Sequence, residues 1–156
     1  MINADIDPSA APPMPSVAMI VQAEDGSILL HSRDAEIHGT TAHYEPQQHK
    51  NTIGFWTNQD DWVSWTFTAT KPGTFTVDVL QGCGKGSGGA EVALALGEQM
   101  LSFTVEDTGH FQNFVKRGVG QLKIIEAGTY TLSVKPKSKP GVAVMDLRQV
   151  LLTPVK

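Results

Sequence analysis

Apolar and polar residues alternate with a period of two through most of the chain beyond Val17. In Trp62–Thr70 the odd positions Val63, Trp65, Phe67 and Ala69 are apolar and Ser64, Thr66 and Thr68 between them are polar, the pattern of a half-buried strand. After a Lys71-Pro72-Gly73 turn, Phe75, Val77 and Val79 alternate with Thr74, Thr76 and Asp78. Val92, Leu94 and Leu96 precede a Gly97-Glu98 turn, and Leu101, Phe103 and Val105 follow it. Leu122 and Ile124 lead to the turn Glu126-Ala127-Gly128, after which Tyr130, Leu132 and Val134 alternate with threonine, serine and lysine. A last strand is expected over Val142–Thr153, stopped by Pro154. At the near end, Val17–Gln22 and Ser27–His31 flank Glu24-Asp25-Gly26, which reads as a hairpin turn.

No segment of a dozen residues carries a helical period. Eight or nine short strands joined by tight turns predict an all-β β-sandwich whose two inner faces supply the core. The first sixteen residues, with Pro8, Pro12, Pro13 and Pro15 among small residues, have linker composition. The module is therefore expected over 17–156, as part of a larger protein. Gly39–Asp61 and Asp107–Asn113 resist strand assignment, and irregular segments at the end of a sandwich are where binding usually resides.

Length and charge narrow the function classes. At 156 residues and a formal charge of −4, the chain is one domain with no polybasic stretch, which argues against nucleic acid or an anionic membrane as partner. Its longest apolar runs, such as Val17–Val21, are about a quarter of a membrane span, and no signal peptide opens the chain. The single cysteine, Cys83, excludes an intrachain disulfide and a Cys-rich zinc site.

Several constellations resolve into structural roles. Gly84, Gly86 and Gly89 fit G-x-G-x-x-G, but a strand rather than a helix follows, so the phosphate-binding context is missing. His31, His38, His43, His49 and His110 share no ligand spacing, and no nucleophile elbow surrounds any serine. Asp60 and Asp61, like Glu106 and Asp107, are adjacent and point to opposite faces of any strand. Lys135, Lys137 and Lys139 read as a solvated loop rather than an anionic-glycan site. The aromatic set is more informative: Tyr44, Phe55, Trp56, Trp62, Phe111 and Phe114 lie in or beside the irregular stretches, interleaved with His, Asn and Gln. A sugar offers an apolar C–H face and a hydroxyl rim, which aromatic rings and planar polar side chains hold together.

The ordered motifs DAEIHG, N-x-I-G-F-W-x-N-x-D-D-W, K-P-G-T-F, G-G-A-E-V, T-G-H-F-Q-N-F, A-G-T-Y-T-L and V-M-D-L-R-Q-V resemble a known family over about Leu29 to Pro154. It is the galactose-binding-like jelly-roll sandwich of carbohydrate-binding module families 6 and 35, in the version fused behind bacterial sulfatases and α-L-fucosidases. The resemblance implies a cleft between loops in which Phe55 and Phe111 take the positions of a Tyr and a Trp. Val144 stands where an Asn usually bonds a sugar hydroxyl, so the cleft becomes more apolar. His43, Tyr44, Trp56, Asn58, His110 and Asn113 would complete the ligand-binding set. Where the family's structural calcium takes two first-strand acids and the Asp of the last strand, this chain has His31 and Arg33 with Asp146. The expectation is an Arg33–Asp146 ion pair in place of a metal, and no cofactor.

The resemblance implies a non-catalytic, secreted or periplasmic module whose partners are carbohydrate, sulfated polysaccharides included, and an attached catalytic domain. The sulfatase signature C-x-P-S-R or S-x-P-S-R is missing. The alternative is a structural accessory domain that binds no glycan.

Overall fold

The computed structural model describes residues 19–156. The expected linker over 1–16 and the first residues of the expected leading strand lie outside the described residues. Twelve strands follow in the order β1 (Ile20–Val21), β2 (Ile28–His31), β3 (Glu36–His38), β4 (His43–Glu45), β5 (Thr52–Gly54) and β6 (Trp62–Ala69), then β7 (Gly73–Cys83), β8 (Glu91–Leu96), β9 (Gln99–Thr104), β10 (His110–Ile124), β11 (Gly128–Pro136) and β12 (Asp146–Pro154), with one 3-10 turn at Ser32–Asp34. They form two six-stranded sheets. Sheet A runs β9-β8-β11-β6-β1 with β3 also on β6; sheet B runs β10-β7-β12-β5-β4 with β2 also on β12. The fold is an all-β jelly-roll sandwich.

The alternation seen in the sequence builds the core directly. Val63, Trp65, Phe67 and Ala69 of β6, with Val92, Leu94 and Leu96 of β8 and Leu132 and Val134 of β11, are buried on the inner face of sheet A. Sheet B answers with Phe75, Val77 and Val79 of β7, Leu122 and Ile124 of β10, and Ile28 and Leu30 of β2. Each such side chain contributes about 1.5–3 kcal/mol on burial, so these two faces outweigh any single polar tie. On β12 the buried positions are Leu147, Val150 and Leu152, a spacing that breaks strict alternation. A bulge between Leu147 and Gln149 absorbs the extra residue and turns Arg148 off the pleat.

Three expectations need correction. The Glu24-Asp25-Gly26 turn forms, with Gly26 at φ +91°, but the strands around it are not a hairpin. β1 pairs in parallel with β6 and β2 antiparallel with β12, so the turn is a corner between the sheets. Buried Gln22 fixes it: its Oε1 accepts from the Thr70 and Lys71 amides, both at 2.8 Å, and its Nε2 donates to the Gly26 carbonyl. Gly39–Asp61 contains the three-residue strands β4 and β5, and the end of Asp107–Asn113 opens β10. The last strand begins at Asp146, not Val142, because Val144 instead donates its amide to the Trp56 carbonyl at 2.8 Å.

The edge strands β9 and β10 belong to different sheets and are stitched together by side chains. The Gln99 carboxamide donates to the Lys123 carbonyl and accepts from the Lys123 amide, both at 2.8 Å. The Arg117 guanidinium reaches the Thr104 carbonyl and Gln81 Oε1, both at 2.9 Å.

Candidate functional site

Three glycines hollow out one end of sheet B. Gly82 of β7 pairs with Asp146 of β12, and a Cβ there would collide with the Phe111 carbonyl. At Gly84 a Cβ would meet the Phe111 ring, and at Gly54 the Glu45 carboxylate. Glycine at these positions lets neighbouring strands lay larger groups over the sheet. The result is a cleft of about 260 Å³ lined by Glu45, Lys50, Phe55, Thr57, Phe111, Gln112, Val142, Ala143 and Asp146.

Phe55 and Phe111 form its aromatic walls. Phe55 follows Gly54 with φ of +53°, a region that non-glycine residues seldom occupy. That backbone turn presents the ring to solvent, 57% exposed, with the His43 imidazole stacked on it at 5.1 Å between centroids. Phe111 is half-buried and rests on Gly84. Val142, 71% exposed, adds an apolar lip.

The polar floor is acidic. Asp146 is 4% exposed, and among the described residues its one hydrogen-bond partner is the Gln112 carboxamide at 3.4 Å. Burial pushes its carboxyl up to about 7; the Gln112 bond and Lys50 ammonium pull the other way, while the Glu45 carboxylate adds to the rise. Lys50 Nζ lies 3.2 Å from Glu45 Oε2. Arg148, displaced by the bulge, holds the turn carrying Lys50 by donating to the Lys50 and Asn51 carbonyls, and stacks on Phe114 at 4.0 Å.

Of the residues expected to bind ligand, Phe55 and Phe111 line the cleft and His43 backs it. Trp56 does not reach it: its side chain is fully buried in the core and its Nε1 donates to the Asp61 carbonyl at 3.0 Å. It offers no face to a sugar. Tyr44 points to the other side of β4, its hydroxyl donating to Asn51 Oδ1 and its ring meeting His31 edge-on. Asn58 caps a turn, accepting from the Asp60 amide at 2.9 Å. His110 accepts from the Gln112 amide and Asn113 donates to the Thr108 carbonyl, so both shape the loop beneath Phe111. Sequence reasoning missed Glu45, Lys50 and Gln112. The available signal was Gly54, opposite His43 in register, where a missing side chain invites the carboxylate of the same strand.

The expected Arg33–Asp146 pair does not form. The 3-10 turn takes the chain away from β12 just after His31, and Arg33 instead lies 3.9 Å from Asp34 with its side chain 55% exposed. Lys50 supplies the cationic charge on this floor. The donor set does not fit calcium: His31 and Arg33 stand at the expected acidic positions, and an ammonium already sits against Glu45. Among the described residues, no three His, Cys, Asp or Glu side chains cluster as a metal site.

The remaining candidates are structural. Trp62 on the outer face of sheet A stacks on His38 at 3.8 Å and carries Lys135 Nζ at 4.3 Å. Lys137 donates to Ser102 and Lys139 to the Gly141 carbonyl, so each lysine of the basic loop is engaged. Burial pushes the Cys83 thiol up to about 11, helped by Asp107 and Asp146, which leaves it an unreactive thiol.

The fold is shared with solved structures at low sequence identity. The C-terminal family 6 carbohydrate-binding module of a marine laminarinase from Zobellia galactanivorans superposes with a TM-score of 0.65 at 17% identity, covering 81% of this chain and 98% of that one. A family 35 carbohydrate-binding module from Clostridium thermocellum gives 0.66 at 9% identity, covering 83% and 98%. The insecticidal crystal protein Cry2Aa gives 0.71 at 10% identity, covering 87% of this chain and 23% of that protein. No curated protein matches the chain in sequence. A family model described as a domain of unknown function (DUF5077) matches residues 39–156.

Proposed function

The chain belongs to that family of domains of unknown function, DUF5077, and we propose that it is a non-catalytic carbohydrate-binding module. The observation that carries this reading is the glycine-hollowed cleft, in which two phenylalanine faces stand over a floor of Asp146, Glu45, Lys50 and Gln112. A pyranose ring stacks its C–H face on such walls while its hydroxyls meet the planar polar groups below. The superposition on carbohydrate-binding modules supports the reading through the fold.

In this reading the domain works outside the cell, joined to a glycoside hydrolase or sulfatase through its proline-rich start. Tethering raises the local concentration of the attached enzyme at polysaccharide even when each module binds weakly. The cleft then holds no reacting groups, and chemistry resides in the partner domain.

A second reading, a structural accessory domain, is favoured by the exposed Phe55 and Val142: an apolar lip also suits packing against a protein neighbour. Affinity electrophoresis through gels containing soluble polysaccharides separates the two, using the wild type, Phe55→Ala and Phe111→Ala. Retardation abolished by either variant is expected for the carbohydrate module. Unretarded migration of the wild type in every polysaccharide favours the accessory domain.

A further inference from the structure

The floor of the cleft carries one more carboxyl than it has ammonium groups. Lys50 Nζ is bound to Glu45 at 3.2 Å, so that ammonium is matched by one carboxylate. Asp146 is the second carboxyl on the floor, more than nine-tenths buried, and the neutral Gln112 amide at 3.4 Å is its one hydrogen-bond partner among the described residues. A buried carboxyl with unfilled acceptor sites costs free energy until a donor reaches it. It opens onto a cleft whose walls, Phe55 and Phe111, accept the apolar face of a ring. The other ionisable groups around it do not supply that donor. Cys83 is a neutral buried thiol, and Arg148, further along β12, spends its guanidinium on two backbone carbonyls and the Phe114 ring.

We propose that the cleft selects glycans bearing a free amine, with Asp146 accepting a charge-assisted hydrogen bond from the sugar ammonium while the ring stacks between Phe55 and Phe111. This rests on the carbohydrate-binding reading and names the sugar class within it. An ammonium supplies the missing donor and, by favouring the ionised form of the carboxyl, the charge that balances it at one atom. A sulfated or carboxylated sugar would instead bring a second anion against Asp146 and Glu45, with the one nearby ammonium already engaged.

The test is titration calorimetry with three probes: a β-1,4-linked glucosamine oligomer, its fully N-acetylated counterpart, and a lysine tripeptide. The pH is held near 7, the value to which burial raises the Asp146 carboxyl, so that carboxylate and ammonium are both present. The glucosamine oligomer is expected to bind the wild type about tenfold or more tighter than the N-acetylated one, the fold-change of one hydrogen bond to a charged group. Asp146→Asn should bring the two oligomers within about threefold, whereas Phe111→Ala should weaken both. A melting curve checks that Asp146→Asn folds; if it does not, Glu45→Gln, which lowers the same negative potential, should narrow the preference instead. Equal or tighter binding of the N-acetylated oligomer overturns amine selection and leaves the carbohydrate reading standing. A lysine tripeptide that binds as tightly as the glucosamine oligomer also overturns it, since charge without the ring would then suffice. If neither oligomer binds and soluble-polysaccharide gels show no retardation of the wild type, the carbohydrate reading itself fails.

Discussion

Phe55 holds its positive φ at the lip of the cleft, a conformation that costs a non-glycine residue about 1–3 kcal/mol. More than half of its surface faces solvent, so burial repays little of that cost. Phe55→Gly should therefore leave the melting temperature unchanged or raised while glycan retardation in affinity gels is lost. The next residue behaves in the opposite way: Trp56→Ala should destabilise by about 3–5 kcal/mol in denaturant melts, because it empties a fully buried site. Composition marked both as aromatic candidates in an irregular stretch. Their opposite directions were not legible, because an aperiodic segment gives no rule for facing, and the φ of Phe55 reverses the alternation locally. Asp146 adds a pH signature. Its folded pKa is raised, so the folded state holds the proton more tightly than the unfolded chain does. Its contribution is complete below the unfolded value near 3.9 and lost as pH rises toward 7. Asp146→Asn should melt higher than the wild type at about pH 8 and at the same temperature at about pH 4.

Among the elements, the turn before β4 depends on one side chain. The Asp61 carboxylate accepts from the Thr40, Thr41 and Ala42 amides and from the Thr41 hydroxyl, at 2.9–3.0 Å. A Cβ at Gly39 would collide with it. Burial alone would raise its pKa; the four donors outweigh burial and hold it below the usual carboxylate range. This stability is present above the unfolded value and lost as pH falls through the folded one. Asp61→Ala should cost about 1–3 kcal/mol near neutrality, the penalty for leaving the buried Ala42 amide and the part-buried Thr40 and Thr41 donors without their acceptor, and the deficit against wild type should shrink in acid melts. The long strands were readable from alternation because a period of two needs several repeats to register. β4 and β5, at three residues each, are too short to show it. The corner at 23–27 looks locally like a hairpin, since turn chemistry fixes a reversal but not the sheet that each arm joins.

For the molecule as a whole, sandwich architecture followed from the alternating strands, and the end carrying the cleft followed from where alternation stopped. What stayed hidden was the pairing of side chains: Asp146 with Gln112 rather than Arg33, and Lys50 with Glu45 five residues away. The first depends on register between strands far apart in sequence and on a 3-10 turn that one-dimensional alignment passes over, the second on how the aperiodic turn after Glu45 folds back. With Arg33 and His31 in place of acids and Lys50 on the cleft floor, EDTA should leave the melting temperature unchanged. A fall that calcium restores would contradict that assignment. On the proposed reading, a module that gathers on polysaccharide also meets its own copies at close quarters. Unpaired strand margins then become seeds for intermolecular sheets and precipitation. The Gln99 carboxamide, standing in for a peptide group against Lys123, occupies backbone positions through which a neighbouring copy could fuse. Crowding on a solid substrate can thus raise avidity without inviting aggregation along that seam.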